Sequence, residues 1–151
     1  MQTITPFLWF NDNAEEATNF YVSVFKNSKV LSVNRFGEKV MGTSFEINGQ
    51  KIHTLNGGPH YKLTPAISLF VSVETQQEVD ELWEKLIADG GAPSRCGWLQ
   101  DKFGLSWQII PTALGKLMGD KDPVKAKRVV DAMMQMTKID IAGLQKAYNQ
   151  Q

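Results

Sequence analysis

The side chains best equipped for chemistry lie on two strand-like runs rather than in one compact motif. In FGLSWQII, strict alternation sets Phe103, Leu105, Trp107 and Ile109 on one face and Gly104, Ser106 and Gln108 on the other. Gln108 offers one acceptor and two donors, which suits recognition of a polar group on a small ligand. Ser68, Phe70 and Ser72 alternate with Leu69, Val71 and Val73, giving a second mildly polar row. Neither serine of that row has an identifiable His and Asp partner, so no nucleophilic triad is expected.

His53 is the candidate for proton transfer, because imidazole titrates near neutral pH. Its strand ends at a Leu-Asn-Gly-Gly-Pro loop, and parity groups it with Lys51 and Leu55, opposite Ile52 and Thr54, without fixing which row faces inward. His60 is expected to be exposed in that loop. A metal site from Glu46, His53 and His60 would depend on how the loop folds. Cys96, beside Arg95, reads as a buried structural thiol. The turn Asn56-Gly57-Gly58-Pro59 reads as one that needs positive φ at glycine. Trp107 is expected in the core and Trp98 on a pocket wall, while Phe10 and Asn56, at strand ends, join the ligand-contacting candidates.

The chain that must position these groups has 151 residues, 42% apolar and 21% charged, enough for one or two small modules around a core. Sixteen basic residues balance sixteen acidic ones, which removes the positive field that nucleic-acid binders use and gives no reason to invoke a membrane surface. With one cysteine no intrachain disulfide can form, and a cytoplasmic location is the simplest reading. The start, MQTITPFLWFNDN, has no basic segment followed by a long apolar run, so no secretion signal is expected. No run reaches transmembrane length.

Residues 3–10 predict a strand, and Asn13 with Glu16 forms a capping-box pattern ahead of a helix carrying Ala14, Ala17, Phe20, Tyr21, Val24 and Phe25. Extended runs at 30–36, 40–47 and 51–55 follow, the last two joined by Asn48-Gly49. The order β-α-β-β-β then recurs. A strand at 66–73 precedes a second capping-box pattern, Thr75 with Glu78, and a helix striped by Val79, Leu82, Trp83, Leu86 and Ile87. A hairpin from 96 to 111 closes this repeat, which looks one strand short unless residues 93–95 supply it. Beyond Pro111, Asp122-Pro123 starts a helix with Val124, Val129, Val130, Met133 and Met134 as its apolar stripe, and a shorter helix is expected within 139–148. The tail's Lys116, Lys121, Lys125, Lys127 and Arg128 alternate with aspartates and read as a solvated face.

FLWFNDNAEEATNFY, LNGGP, AISLFVSVETQQEVDELWEKL and CGWLQDKFGLSWQIIP, in this order, closely resemble the PhnB-like branch of the vicinal oxygen chelate (glyoxalase/bleomycin-resistance/dioxygenase) superfamily. Such sequences carry the name 3-demethylubiquinone-9 3-methyltransferase-like. The resemblance implies an α+β fold of two βαβββ modules, residues 1–60 and 61–111, each an open, mostly antiparallel half-barrel, with helices over 112–151. It also implies a homodimer whose half-barrels, from one chain or exchanged, enclose a small-molecule pocket. The superfamily's His, His and Glu metal positions fall near Pro6, Ser68 and Gln108, none of which is a good ligand, so no metal is expected there. Nucleotide-type methyl donors sit on Gly-rich strand-to-helix turns of parallel sheets, and neither Asn56-Gly57-Gly58-Pro59 nor Gly90-Gly91 fits that context. Methyl transfer is therefore not expected. The leading expectation is a protein that binds a small organic ligand without the metal triad. The alternatives are a metal-dependent lyase, isomerase or dioxygenase with substitute ligands, and a drug-sequestering resistance-type protein.

Overall fold

A computed structural model describes residues 1–150 and divides the chain into two compact units, Met1–Leu63 and the remainder from Thr64. The first contains β1 (Phe7–Phe10), α1 (Ala14–Val24), β2 (Ser28–Phe36), β3 (Lys39–Ile47) and β4 (Gln50–Asn56). Its four-stranded sheet has the order β1-β4-β3-β2, with β1 and β4 parallel and the other pairs antiparallel. The second contains β5 (Ser68–Val73), α2 (Gln76–Ile87), β6 (Ala92–Pro93), β7 (Trp98–Gln100) and β8 (Ser106–Pro111), in the order β5-β8-β7-β6. Again the outer pair, β5 and β8, is parallel. Each unit is thus an open mixed sheet carrying a helix, as expected for an α+β half-barrel module. The missing strand of the second repeat is β6, two residues paired with Gln100 and Leu99.

In the first unit α1 packs its Ala14, Ala17, Tyr21 and Val24 on Leu8, Phe10, Phe45, Ile47 and Ile52, all buried. Tyr21 stacks on Phe45 with ring centroids 5.9 Å apart. A chain of buried hydroxyls crosses this layer: Thr18 Oγ1 lies 2.6 Å from Thr43 Oγ1, which lies 2.6 Å from Thr54 Oγ1. Thr54 Oγ1 also accepts from the Thr43 amide, so burial leaves these groups paired. The expected capping box at Asn13 does not form. Asn13 makes no side-chain cap, and Asn56 Oδ1 accepts from the Ala14 amide instead.

In the second unit Val79, Trp83 and Leu86 of α2 are buried, as are Leu99, Trp107 and Ile109 on β7 and β8. Each such side chain stabilises the fold by about 1.5–3 kcal/mol relative to exposure. Here the cap forms: Thr75 accepts from the Glu78 amide, while Glu78 reaches back to the Glu74 amide. The β7–β8 turn is built on Asp101, which is 3% exposed. Its Oδ1 accepts from the amides of Phe103 and Leu105 and its Oδ2 from Trp107 Nε1 at 2.9 Å. This turn places Phe103 outside the strand, so the apolar row of β8 and its approach is Leu105, Trp107 and Ile109.

Three helices follow: α3 (Thr112–Met118), which the sequence pattern does not announce, α4 (Pro123–Met133) and α5 (Ile141–Asn149). They enclose a core of Ile110, Leu114, Val129, Ile139 and Leu144. Val124 and Met134 are 61% and 51% exposed, so the stripe proposed for α4 narrows to Val129 with partly buried Met133. Arg128 is not on a solvated face: its guanidinium caps α5 by donating to the carbonyls of Ala147 and Tyr148. Cys96 is half-buried with φ 59°, so the chain there is not a regular strand, and its thiol is 3.9 Å from Met134 Sδ. Among the described residues no helix is long and apolar enough to cross a membrane.

Candidate functional site

Each sheet has one face under its helix and one face without it, and the register decides what the second face presents. In the first unit the helix-free face carries Phe7 and Trp9 of β1, Lys51, His53 and Leu55 of β4, and Ser44 of β3. His53 is the register partner of both Phe7 and Ser44. Ser44 Oγ lies 2.6 Å from His53 Nδ1, and the Phe7 ring meets the imidazole edge-on at 6.1 Å. Phe7 is 60% exposed, whereas Ser44 and His53 are half-buried.

At the end of β1, Trp9 Nε1 donates to Gly58 O at 2.9 Å, and Tyr61 packs against the indole at 5.0 Å. Trp9 lies flat against the Gly57 backbone: a Cβ on Gly57 would sit 2.3 Å from the indole. The Asn-Gly-Gly-Pro loop is therefore held by close approach of a ring as well as by its turn geometry.

In the second unit Ser68, Phe70 and Ser72 share the face opposite α2 with Ser106, Gln108 and Ile110 of β8, and the C-terminal helices cover its Ile110 end. Phe70 is the register partner of Gln108, which also faces Trp98. Gln108 Nε2 donates to Ser68 Oγ at 3.0 Å. Phe70 is 59% exposed, but Ser106 is 2% exposed and unavailable to solvent, and Ile110 belongs to the core of the C-terminal helices.

One expected contact is corrected by strand parity: Phe10, 3% exposed, lies on the helix side with Leu8. Asn56 uses its amide to accept from Ala14 N and to donate to Val40 O. Asn56 still lines an open cleft of about 810 Å³ with Asn11, Asp12, Glu15, Glu16 and Glu38. Its four acidic side chains outnumber Lys39 and disfavour an anionic occupant. Glu15 is engaged by Arg35 at 2.6 Å.

The donor set at Pro6, Ser68 and Gln108 does not fit a divalent metal. It contains no imidazole or carboxylate, and the amide of Gln108 is already bonded to Ser68. His60 is exposed, and among the described residues no three His, Cys, Asp or Glu side chains are grouped to hold an ion. Three groups of the second unit have displaced titration. Asp80 is held below its ordinary range by hydrogen bonds from Lys138 and then Gln76. Asp120 is lowered by the Asp122 amide and then by Tyr148, whose hydroxyl is raised in turn by Asp120.

The sequence pattern overlooked Ser44, whose partner is nine residues away across a hairpin, and Asp101. For Ser44 the available signal was the Asn48-Gly49 turn, which fixes the pairing of the two strands and hence the Ser44–His53 contact.

Residues 2–110 match the family model described as 3-demethylubiquinone-9 3-methyltransferase. A Bacillus cereus PhnB protein, provisionally named as such a methyltransferase, is 37% identical with a TM-score of 0.68, over 73% of this chain and 99% of that one. The glyoxylase/bleomycin resistance protein/dioxygenase domain from Frankia sp. is 16% identical (TM-score 0.53, 74% of this chain and 92% of that one). The fosfomycin resistance protein FosX from Listeria monocytogenes is also 16% identical (TM-score 0.53, 73% and 91%), and these two likenesses speak to fold alone. No functionally curated protein matches the sequence. A helix-bearing mixed sheet occurring twice in one strand order, together with the model match and the Bacillus relative, shows that this chain belongs to the PhnB-like, 3-demethylubiquinone-9 3-methyltransferase family.

Proposed function

We propose that this chain is a cytoplasmic, homodimeric protein that binds a small organic ligand at the helix-free faces of its sheets, without a metal at Pro6, Ser68 and Gln108. His53 is the group able to exchange a proton, and Ser68, Phe70, Ser72, Trp98 and Gln108 are the contacts of the second face. One observation carries this reading. At the same place in the two registers, an exposed phenylalanine on the first strand flanks a hydrogen-bonded polar group on the last: Phe7 beside His53, and Phe70 beside Gln108. An apolar surface with a few fixed polar groups is the usual composition of a small-molecule site.

Methyl transfer is not part of this reading. The strand-to-helix junctions are Asn11-Asp12-Asn13, Glu74-Thr75 and the direct passage from Pro111 to Thr112, and none contains the glycines that let a nucleotide approach the backbone.

The test is a small-molecule screen by native mass spectrometry, with affinities of any hit measured calorimetrically. His53→Ala or Gln108→Ala should weaken binding about tenfold. A ligand held equally well by both variants would overturn the assignment. Stoichiometric zinc, nickel, manganese or iron in protein purified without chelator, lost on His53→Ala, would replace it with a metal-dependent reading. A one-chain mass at micromolar concentration would remove the dimer.

A further inference from the structure

The Ser44–His53 contact has a direction, and that direction selects a ligand class. Ser44 Oγ is 2.6 Å from Nδ1, and among the described residues neither Ser44 Oγ nor His53 Nε2 has another side-chain or backbone partner. A serine hydroxyl carries one proton, whereas neutral imidazole has one N–H and one lone pair. At 2.6 Å the contact is shorter than an N–H···O bond usually is and lies in the range of bonds donated by a hydroxyl. The hydroxyl is therefore the donor to Nδ1, and the imidazole proton stands on Nε2, where no protein acceptor meets it.

We propose that Ser44 is a positioning residue that fixes neutral His53 as the Nε2–H tautomer, making it a hydrogen-bond donor for an oxygen acceptor on the ligand. Phe7, centred 6.1 Å from the imidazole and 60% exposed, gives the neighbouring apolar surface. The ligand class is then a small molecule with a carbonyl oxygen on an apolar body. A neutral imidazole polarising an oxygen in this way is an established catalytic role. This inference rests on the ligand-binding reading given above, but its first test needs no ligand.

With only two histidines in the chain, nitrogen NMR resolves the tautomer of each above its titration range. Wild-type His53 should show Nε2–H alone, Ser44→Ala should give a mixture of tautomers, and Ser44→Thr should restore the single form. Acetophenone, a ring with a carbonyl acceptor and no donor, should shift the His53 Nε2 resonance, and toluene should not. Ser44→Ala should weaken the acetophenone response about tenfold.

A wild-type Nδ1–H tautomer overturns the proposal, and this reading stands even if Ser44→Ala does not fold. So does an Ser44→Ala spectrum identical to wild type. Acetophenone that shifts other residues, or none, while sparing Nε2 removes the ligand class assigned here. That last result leaves binding at the second unit's face open to the screen described above.

Discussion

The two βαβββ units follow one strand order and one register, yet they solve the problem of buried polarity differently. The first threads three threonine hydroxyls between helix and sheet, each neutral and each bonded to the next. The second buries a carboxylate in its hairpin turn and surrounds it with three N–H donors. The loops leaving the last strands differ as well: β4 exits through a glycine turn under an indole, whereas β8 runs directly into α3. The backbone repeat therefore conserves positions rather than chemistry. That is why the last strands present an imidazole in one unit and an amide in the other at equivalent places.

This contrast can be broken by substitution. The largest expected effect is Asp101→Ala, which strands two amides and the buried Trp107 indole; it should cost about 3–5 kcal/mol in denaturant unfolding. Next is Gly57→Ala, whose new methyl must displace Trp9 and break its bond to Gly58. It should cost about 1–3 kcal/mol and shift tryptophan fluorescence. Thr43→Val removes the central hydroxyl of the first unit's chain while keeping its shape, at about 1–2 kcal/mol. If Thr43→Val proved as damaging as Asp101→Ala, the distinction between neutral and charged solutions would fail.

The smallest effect is a pH dependence belonging to the second unit. Asp80, whose ordinary pKa is near 3.8, is lowered by hydrogen bonds from Lys138, 2.8 Å away, and then Gln76. A depressed folded pKa gives stabilisation that is complete above the unfolded value and disappears as pH falls through the folded one. Asp80→Asn should thus lose stability near neutrality, and the difference from wild type should vanish in strong acid. Because the carboxylate is 42% exposed, the loss should stay below about 1 kcal/mol and shrink with salt.

The periodic helices and alternating strands were legible in the sequence because burial on one face leaves a pattern of 3.6 or 2 residues. Three features escaped it for physical reasons. β6 is two exposed residues defined by pairing alone, so it has no pattern to read. α3 is seven residues long and buries only Leu114, too little for a stripe. Asn13 looked like a cap, but it is Asn56, 42 residues beyond Ala14, that accepts from the first amide of the helix. The site was legible to the level of parity: Lys51, His53 and Leu55 shared a row, but only the packing of α1 on Ile52 and Thr54 shows that this row is the helix-free one. Phe10 was misplaced because a strand end was read without knowing which face its helix covers.

The amides of Cys96 and Gly97 donate to the carbonyls of Met136 and Thr137, so the hairpin and the connection between α4 and α5 are laced together. Closing a loop of that length costs about 3 kcal/mol of chain entropy, recovered only when the Ile110–Val129–Ile139–Leu144 core has assembled. These two amides should acquire protection from hydrogen exchange only when the tail docks. Their exchange therefore reports directly on whether the tail is docked against the hairpin.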